Sequence, residues 1–132
     1  MLWHDESMEE LRKLGVGLAI VFGSHVTGKE HPGSDVDVGV VFENRKQKEQ
    51  DPVETYGTLR EVFSKQFPGR EVDAVYLQEA PLSLQFRAIS EGEELFAVAP
   101  EFAANYREYV MKRYFDFLPV EREFAKALLG TA

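Results

Sequence analysis

The sequence predicts an α/β (α+β) fold, a small mixed sheet flanked by helices, and three features predict it. VGLAIVF at 16–22 is apolar throughout and rich in β-branched residues, as a strand covered on both faces is. DVDVGVVF at 35–42 begins with polar and apolar residues in alternation, the period of a pleated strand. Between it and a third strand-like segment, EVDAVYL at 71–77, the residues Tyr56, Leu59, Val62, Phe63 and Phe67 recur at helical spacing.

Each element follows in chain order. Met8, Leu11 and Leu14 share a helical face and Gly15 is a natural stop, so residues 6–14 read as a first helix. The strand at 16–22 ends at Gly23, and a Gly- and Pro-marked loop leads to the strand at 35–42. NRKQKEQD is then a polar connector before Pro52, which suits a first helical position because its missing N–H has no partner there. The helix that follows is stopped by Pro68-Gly69, and the strand at 71–77 comes next. Pro81 opens a further helix ending near Gly92, and ELFAV at 94–98 reads as a short edge strand. Phe102, Tyr106, Tyr109, Val110 and Phe117 line a long final helix, which Pro119 is expected to kink or split. With no internal repeat or linker, residues 1–132 read as one domain.

Composition narrows the function. A net charge of −8 disfavours direct contact with a nucleic-acid backbone and favours a basic protein partner, and some of the excess acid suits metal ligation. No segment approaches the roughly 18 consecutive apolar residues of a membrane span. The start, MLWHDESMEE, is acidic where an export signal would be basic, and the absence of cysteine excludes thiolate catalysis and disulfides; both suit a cytoplasmic protein.

Two phosphate-handling signatures overlap in VFGSHVTGKEHPGSDVDVGVVF, residues 21–42. Gly23 to Lys29 spells G-x-x-x-x-G-K, nearly a P-loop. A P-loop needs Ser or Thr after its Lys to reach magnesium, and a helix starting there. Glu30 occupies that position, and His31-Pro32-Gly33 would break the helix in its first turn. The competing signature is Gly23-Ser24 after an apolar strand, whose turn offers N–H groups to a phosphate, followed ten residues later by Asp35 and Asp37. At strand spacing the two carboxylates share one face and Val36, Val38 and Val40 the other, with Gly39 leaving the carboxylate face unobstructed. Neighbouring carboxylates repel unless a cation bridges them, and hard oxygen ligands point to magnesium. If the strands at 35–42 and 71–77 are neighbours, Asp73 joins them as a third acid.

The set G-S-x10-D-x-D followed by EVDAVYL resembles the nucleotidyltransferase superfamily related to DNA polymerase beta. In this size class it looks like the minimal nucleotidyltransferase (MNT) family, which the ending YREYVMKRYFDFLP also resembles. The resemblance implies the polymerase beta-like fold with a C-terminal helix, Gly23 and Ser24 on a triphosphate, and Asp35, Asp37 and Asp73 as catalytic carboxylates holding two Mg2+ ions, with ATP as substrate. Family members often carry Arg in the turn after Gly-Ser. Here His25, Val26 and Thr27 stand there, so His25 and Lys29 are the candidate phosphate contacts, whereas His4 and His31 read as surface residues. The resemblance further implies an antitoxin that moves AMP onto a hydroxyl, a tyrosine in some cases, of a HEPN-type ribonuclease toxin. The chain has no Arg-x4–6-His ribonuclease motif of its own. Two alternatives stand beside this reading: an antitoxin that neutralises by binding alone, and a transferase acting on a small hydroxylated molecule. The aromatic stripe of the last helix is a core face or a partner surface.

Overall fold

The computed structural model describes residues 5–23 and 35–130. Its elements are α1 (Asp5–Lys13), β1 (Val16–Phe22), β2 (Val36–Phe42), α2 (Lys46–Gln50), α3 (Pro52–Ser64), β3 (Val72–Tyr76), a 3-10 turn (Leu77–Glu79), α4 (Leu82–Glu91), β4 (Glu93–Ala97) and α5 (Pro100–Leu129). The strands form one mixed sheet in the order β3-β2-β1-β4. β1 is antiparallel to both β2 and β4, while β2 and β3 run parallel. The expected mixed sheet with flanking helices is therefore the one observed.

Both faces of the sheet are covered. Val36, Val38 and Val40 of β2 pack with Ala19, Val21, Val72 and Ala74 against Leu11 of α1 and Leu59, Val62 and Phe63 of α3. On the other face Leu18, Ile20, Phe22 and Val41 meet Ala88 of α4 and Ala103, Tyr106 and Val110 of α5. Val16 and Leu18 lie two apart yet belong to opposite layers, because the β1–β2 register shifts between them. A bulge of this kind resets the alternation. Gly17, in the bulge, leaves room for the Phe102 ring, which an added Cβ would meet at 2.3 Å.

Three expectations need correction. The polar connector contains a short helix, α2, with no buried residue and so no apolar period to reveal it. Gly39 does not leave open space: a Cβ there would stand 2.6 Å from Leu77 Cδ1, so a buried leucine fills the room. Of the two outcomes expected at Pro119, the split does not occur: the residue lies inside α5. The carbonyl that loses its hydrogen bond belongs to Phe115, exposed like Pro119 itself, so water replaces the missing donor. Among the described residues no helix is long and apolar enough to cross a membrane.

Candidate active site

The site lies where β1 ends and β2 and β3 begin. Phe22 pairs with Asp37 across the antiparallel β1–β2 ladder, and Asp37 pairs with Asp73 across the parallel β2–β3 ladder. Adjacency of the two strands, a condition in the sequence reading, is met with the two aspartates in register. Asp35 is one residue before β2, exposed like Asp73, whereas Asp37 is half-buried. On one face of the sheet α4 and α5 cover Leu18, Ile20, Phe22 and Val41 through Ala88, Ala103, Tyr106 and Val110. Val36 N–H donates to the carbonyl of Glu71 at 2.7 Å, tying the starts of β2 and β3 together.

Gly23 follows Phe22 with φ of 90°, a left-handed conformation that glycine adopts without steric cost. A Cβ there would come within 3.2 Å of Asp37 Oδ2, so the turn's backbone and the carboxylate approach closely. Ser24, His25 and Lys29 lie outside the described residues, as do His4 and His31.

Electrostatics single out Asp37. Loss of water on burial is the largest effect raising its pKa above the ordinary 3.8, and the charges of Asp73 and then Asp35 add to it. Arg87 of α4 acts in the opposite direction. The Arg87 Nε donates to Glu91 Oε2 at 3.0 Å, an i,i+4 pair that in sequence reads as ordinary helix surface. Its effect on Asp37 requires the packing of α4 over the strand ends, which no local pattern shows.

Tyr56 of α3 is the other site residue hidden in the sequence, where it belongs to an apolar stripe. Its hydroxyl donates to Asp73 Oδ1 at 2.6 Å. That hydrogen bond is the first cause of a raised phenol pKa, with burial the second. Arg60, one turn along α3, donates from Nε to the Val72 carbonyl at 3.0 Å, its guanidinium 6.0 Å from the centre of the Tyr56 ring. Asp35, Arg60, Glu71, Val72 and Asp73 line a cleft of about 230 Å³. A larger cavity, about 580 Å³, opens beside Val41 and Phe42 at the far end of β2, away from the carboxylates. The smaller cleft is the one with reactive groups.

The donor set fits a hard cation, though not a closed cage. Among the described residues no group of three His, Cys, Asp or Glu side chains could hold a metal ion. Magnesium commonly binds through one or two carboxylates completed by substrate phosphate oxygens and water. Asp37 and Asp73, in register and mutually repelling, match that mode, with Asp35 alongside.

Among curated protein sequences none matches this chain. Solved structures do match in fold. A chain of a toxin–antitoxin complex with AMP-PNP superposes with a TM-score of 0.69 at 18% identity, over 94% of this chain and 97% of that one. A mutant MntA–HpeT toxin–antitoxin complex gives 0.71 at 17% identity, over 97% and 99%. A complex of tri-AMPylated Shewanella oneidensis HEPN toxin with MNT antitoxin gives 0.62 at 15% identity, over 94% and 97%. The polymerase beta nucleotidyltransferase family model matches residues 8–101, well over half of the sequence. Together with the aspartate pair beside the Gly23 turn, that match makes the chain a member of the polymerase beta nucleotidyltransferase family.

Proposed function

We propose that this chain is an MNT-type antitoxin, a magnesium-dependent nucleotidyltransferase that moves AMP from ATP onto a hydroxyl, preferably a tyrosine's, of a cognate HEPN-type toxin. The observation that carries the reading is the registered Asp37–Asp73 pair beside the Gly23 turn. Family membership supports nucleotidyl transfer, and the fold shared along nearly the whole chain with toxin–antitoxin complexes supports the partner. In this reading residues 1–132 act as one cytoplasmic domain.

Gly23, with its left-handed backbone at the end of β1, and Ser24 hold the triphosphate in this reading, with His25 and Lys29 as further phosphate contacts. Arg87, whose charge lowers the Asp37 pKa, offsets negative charge as the nucleotide arrives. Asp37 and Asp73, with Asp35 alongside and the nucleotide's phosphate oxygens and water making up the rest of the ligands, are the residues to hold two magnesium ions, which when bound would lower the pKa of the attacking hydroxyl and stabilise the leaving oxygens. Asp73, exposed at the sheet edge, is positioned to accept the proton of an incoming hydroxyl. Transfer joins that oxygen to the α-phosphorus and releases pyrophosphate.

The partner meets α5. Its first half is core, but beyond Val110 no residue of this helix is buried, and Tyr109 (55% exposed), Phe124 (65%) and Leu129 (75%) stand in solvent. Apolar anchors of this kind usually carry the affinity of an interface. The same surface favours a second reading, neutralisation by binding alone. Asp73→Asn separates the two. Transferase action predicts that the variant binds ATP but no longer protects cells from the toxin; full protection by the variant, with the toxin unmodified, establishes masking.

A further inference from the structure

We propose that Tyr56 is a nucleotide acceptor of its own chain: with ATP bound and no partner present, its phenolic oxygen is adenylylated. The proposal rests on the transferase reading above and adds a modification site to it. An acceptor hydroxyl must reach the carboxylate that takes its proton, and Tyr56 Oη already donates to Asp73 Oδ1 at 2.6 Å. A nucleophile bonded to its base is the arrangement that activates hydroxyls in covalent catalysis. Arg60 completes the constellation, lining the cleft with Asp35 and Asp73 and facing the Tyr56 ring. There it can offset charge on the phenolic oxygen and on the entering phosphate.

The other tyrosines are placed differently. Tyr76 Oη is buried without a hydrogen-bond partner among the described residues. Tyr106 Oη donates to Gln85 Oε1 at 2.8 Å, and Tyr114 stacks on Phe86 with ring centres 4.0 Å apart. Tyr109 lies under the guanidinium of Arg113, at the rim of the larger cavity. Of the five, Tyr56 is the one whose hydroxyl has a hydrogen bond to a site carboxylate.

The step balances without a further reagent. The Tyr56 hydroxyl proton passes to Asp73, and Oη bonds to the α-phosphorus of ATP. The bond from that phosphorus to the bridging oxygen breaks, and pyrophosphate leaves with the electron pair. Because an incoming tyrosine needs the same carboxylate, partner and Tyr56 compete, and self-transfer is the fate of the enzyme left without a toxin.

The test is to incubate the purified full chain with ATP and MgCl2, without partner, and to follow intact mass and tryptic peptides. Expected is an increment of about 329 Da, one AMP, on the peptide spanning 49–60, localised by fragmentation to Tyr56 and absent from Tyr56→Phe. Its rate constant should not change with protein concentration, since donor site and acceptor share one chain; a rate rising with concentration overturns transfer in cis. Label on another residue, or none while the same preparation adenylylates a toxin, overturns the proposal and leaves the transferase reading standing. No label on either protein removes both.

Discussion

Asp37→Asn should make the protein more stable and inactive at once. Neighbouring strands lie about 4.8 Å apart, so the charges of the registered Asp37 and Asp73 are roughly 5 Å apart. Two such charges repel by about 0.8 kcal/mol in a water-like dielectric and by about 3 kcal/mol at an effective dielectric near 20. Asp37 is only half-buried, Asp73 is exposed and Arg87 opposes them, so screening selects the lower end, about 0.5–1 kcal/mol. At about 2.1 cal/mol/K per residue, 132 residues convert this into a rise of roughly 2–4 °C in melting temperature. The pH dependence fixes the sign. A carboxyl whose folded pKa is raised binds its proton more readily when folded, so stability declines as pH rises from the ordinary 3.8 through the higher folded value. The advantage of the variant should therefore be full at neutral pH and vanish towards pH 4. Scanning calorimetry in EDTA measures it. With magnesium and ATP at about 100 times Kd the order should reverse, because only the wild type gains the roughly 2.7 kcal/mol of ligand stabilisation. A variant that melts below the wild type in EDTA, or that keeps the ligand-induced shift, refutes this reasoning.

Three further outcomes are expected. Gly23→Ala forces a side chain into φ of 90° and against Asp37 Oδ2, so about 1–3 kcal/mol of stability and at least tenfold of transfer rate should be lost; wild-type values in denaturant melts and labelled-ATP assays would contradict the close turn. Arg87→Ala should weaken ATP binding by about tenfold and raise the Asp37 pKa further, since the opposing charge is gone, as calorimetric binding and carboxyl NMR titration would detect. Phe124→Asp, on the bare half of α5, should shift the melting temperature by no more than about 2 °C yet break the complex with the toxin in size-exclusion chromatography.

Much of the sheet was legible because strand burial leaves a local trace. Val36, Val38 and Val40 alternate with Asp35, Asp37 and Gly39, and that alternation separates the packed layer from the other face. The motif also points to Asp35, Asp37 and Asp73 as candidates, but the registration of the last two depends on strand order, a long-range property. Chain-local reasoning could assume the adjacency without deriving it. Gly39 was misread because the leucine above it comes from a turn 38 positions later. Tyr56 and Arg87 were hidden for the same reason: an apolar-stripe tyrosine and a helix-surface arginine acquire their roles only when α3 and α4 meet the strand ends. Pro119 does not split its helix, since a proline in an exposed stretch leaves its freed carbonyl to water.

The central claim, AMP transfer onto a toxin hydroxyl through the aspartate pair, is tested most directly by the intact mass of a purified HEPN-type partner incubated with this chain, magnesium and ATP. The expected result is an increment of about 329 Da, or a multiple of it, on a hydroxyl side chain, absent when Asp37→Asn replaces the wild type. A partner that stays at its unmodified mass while losing its ribonuclease activity in the complex would contradict the claim.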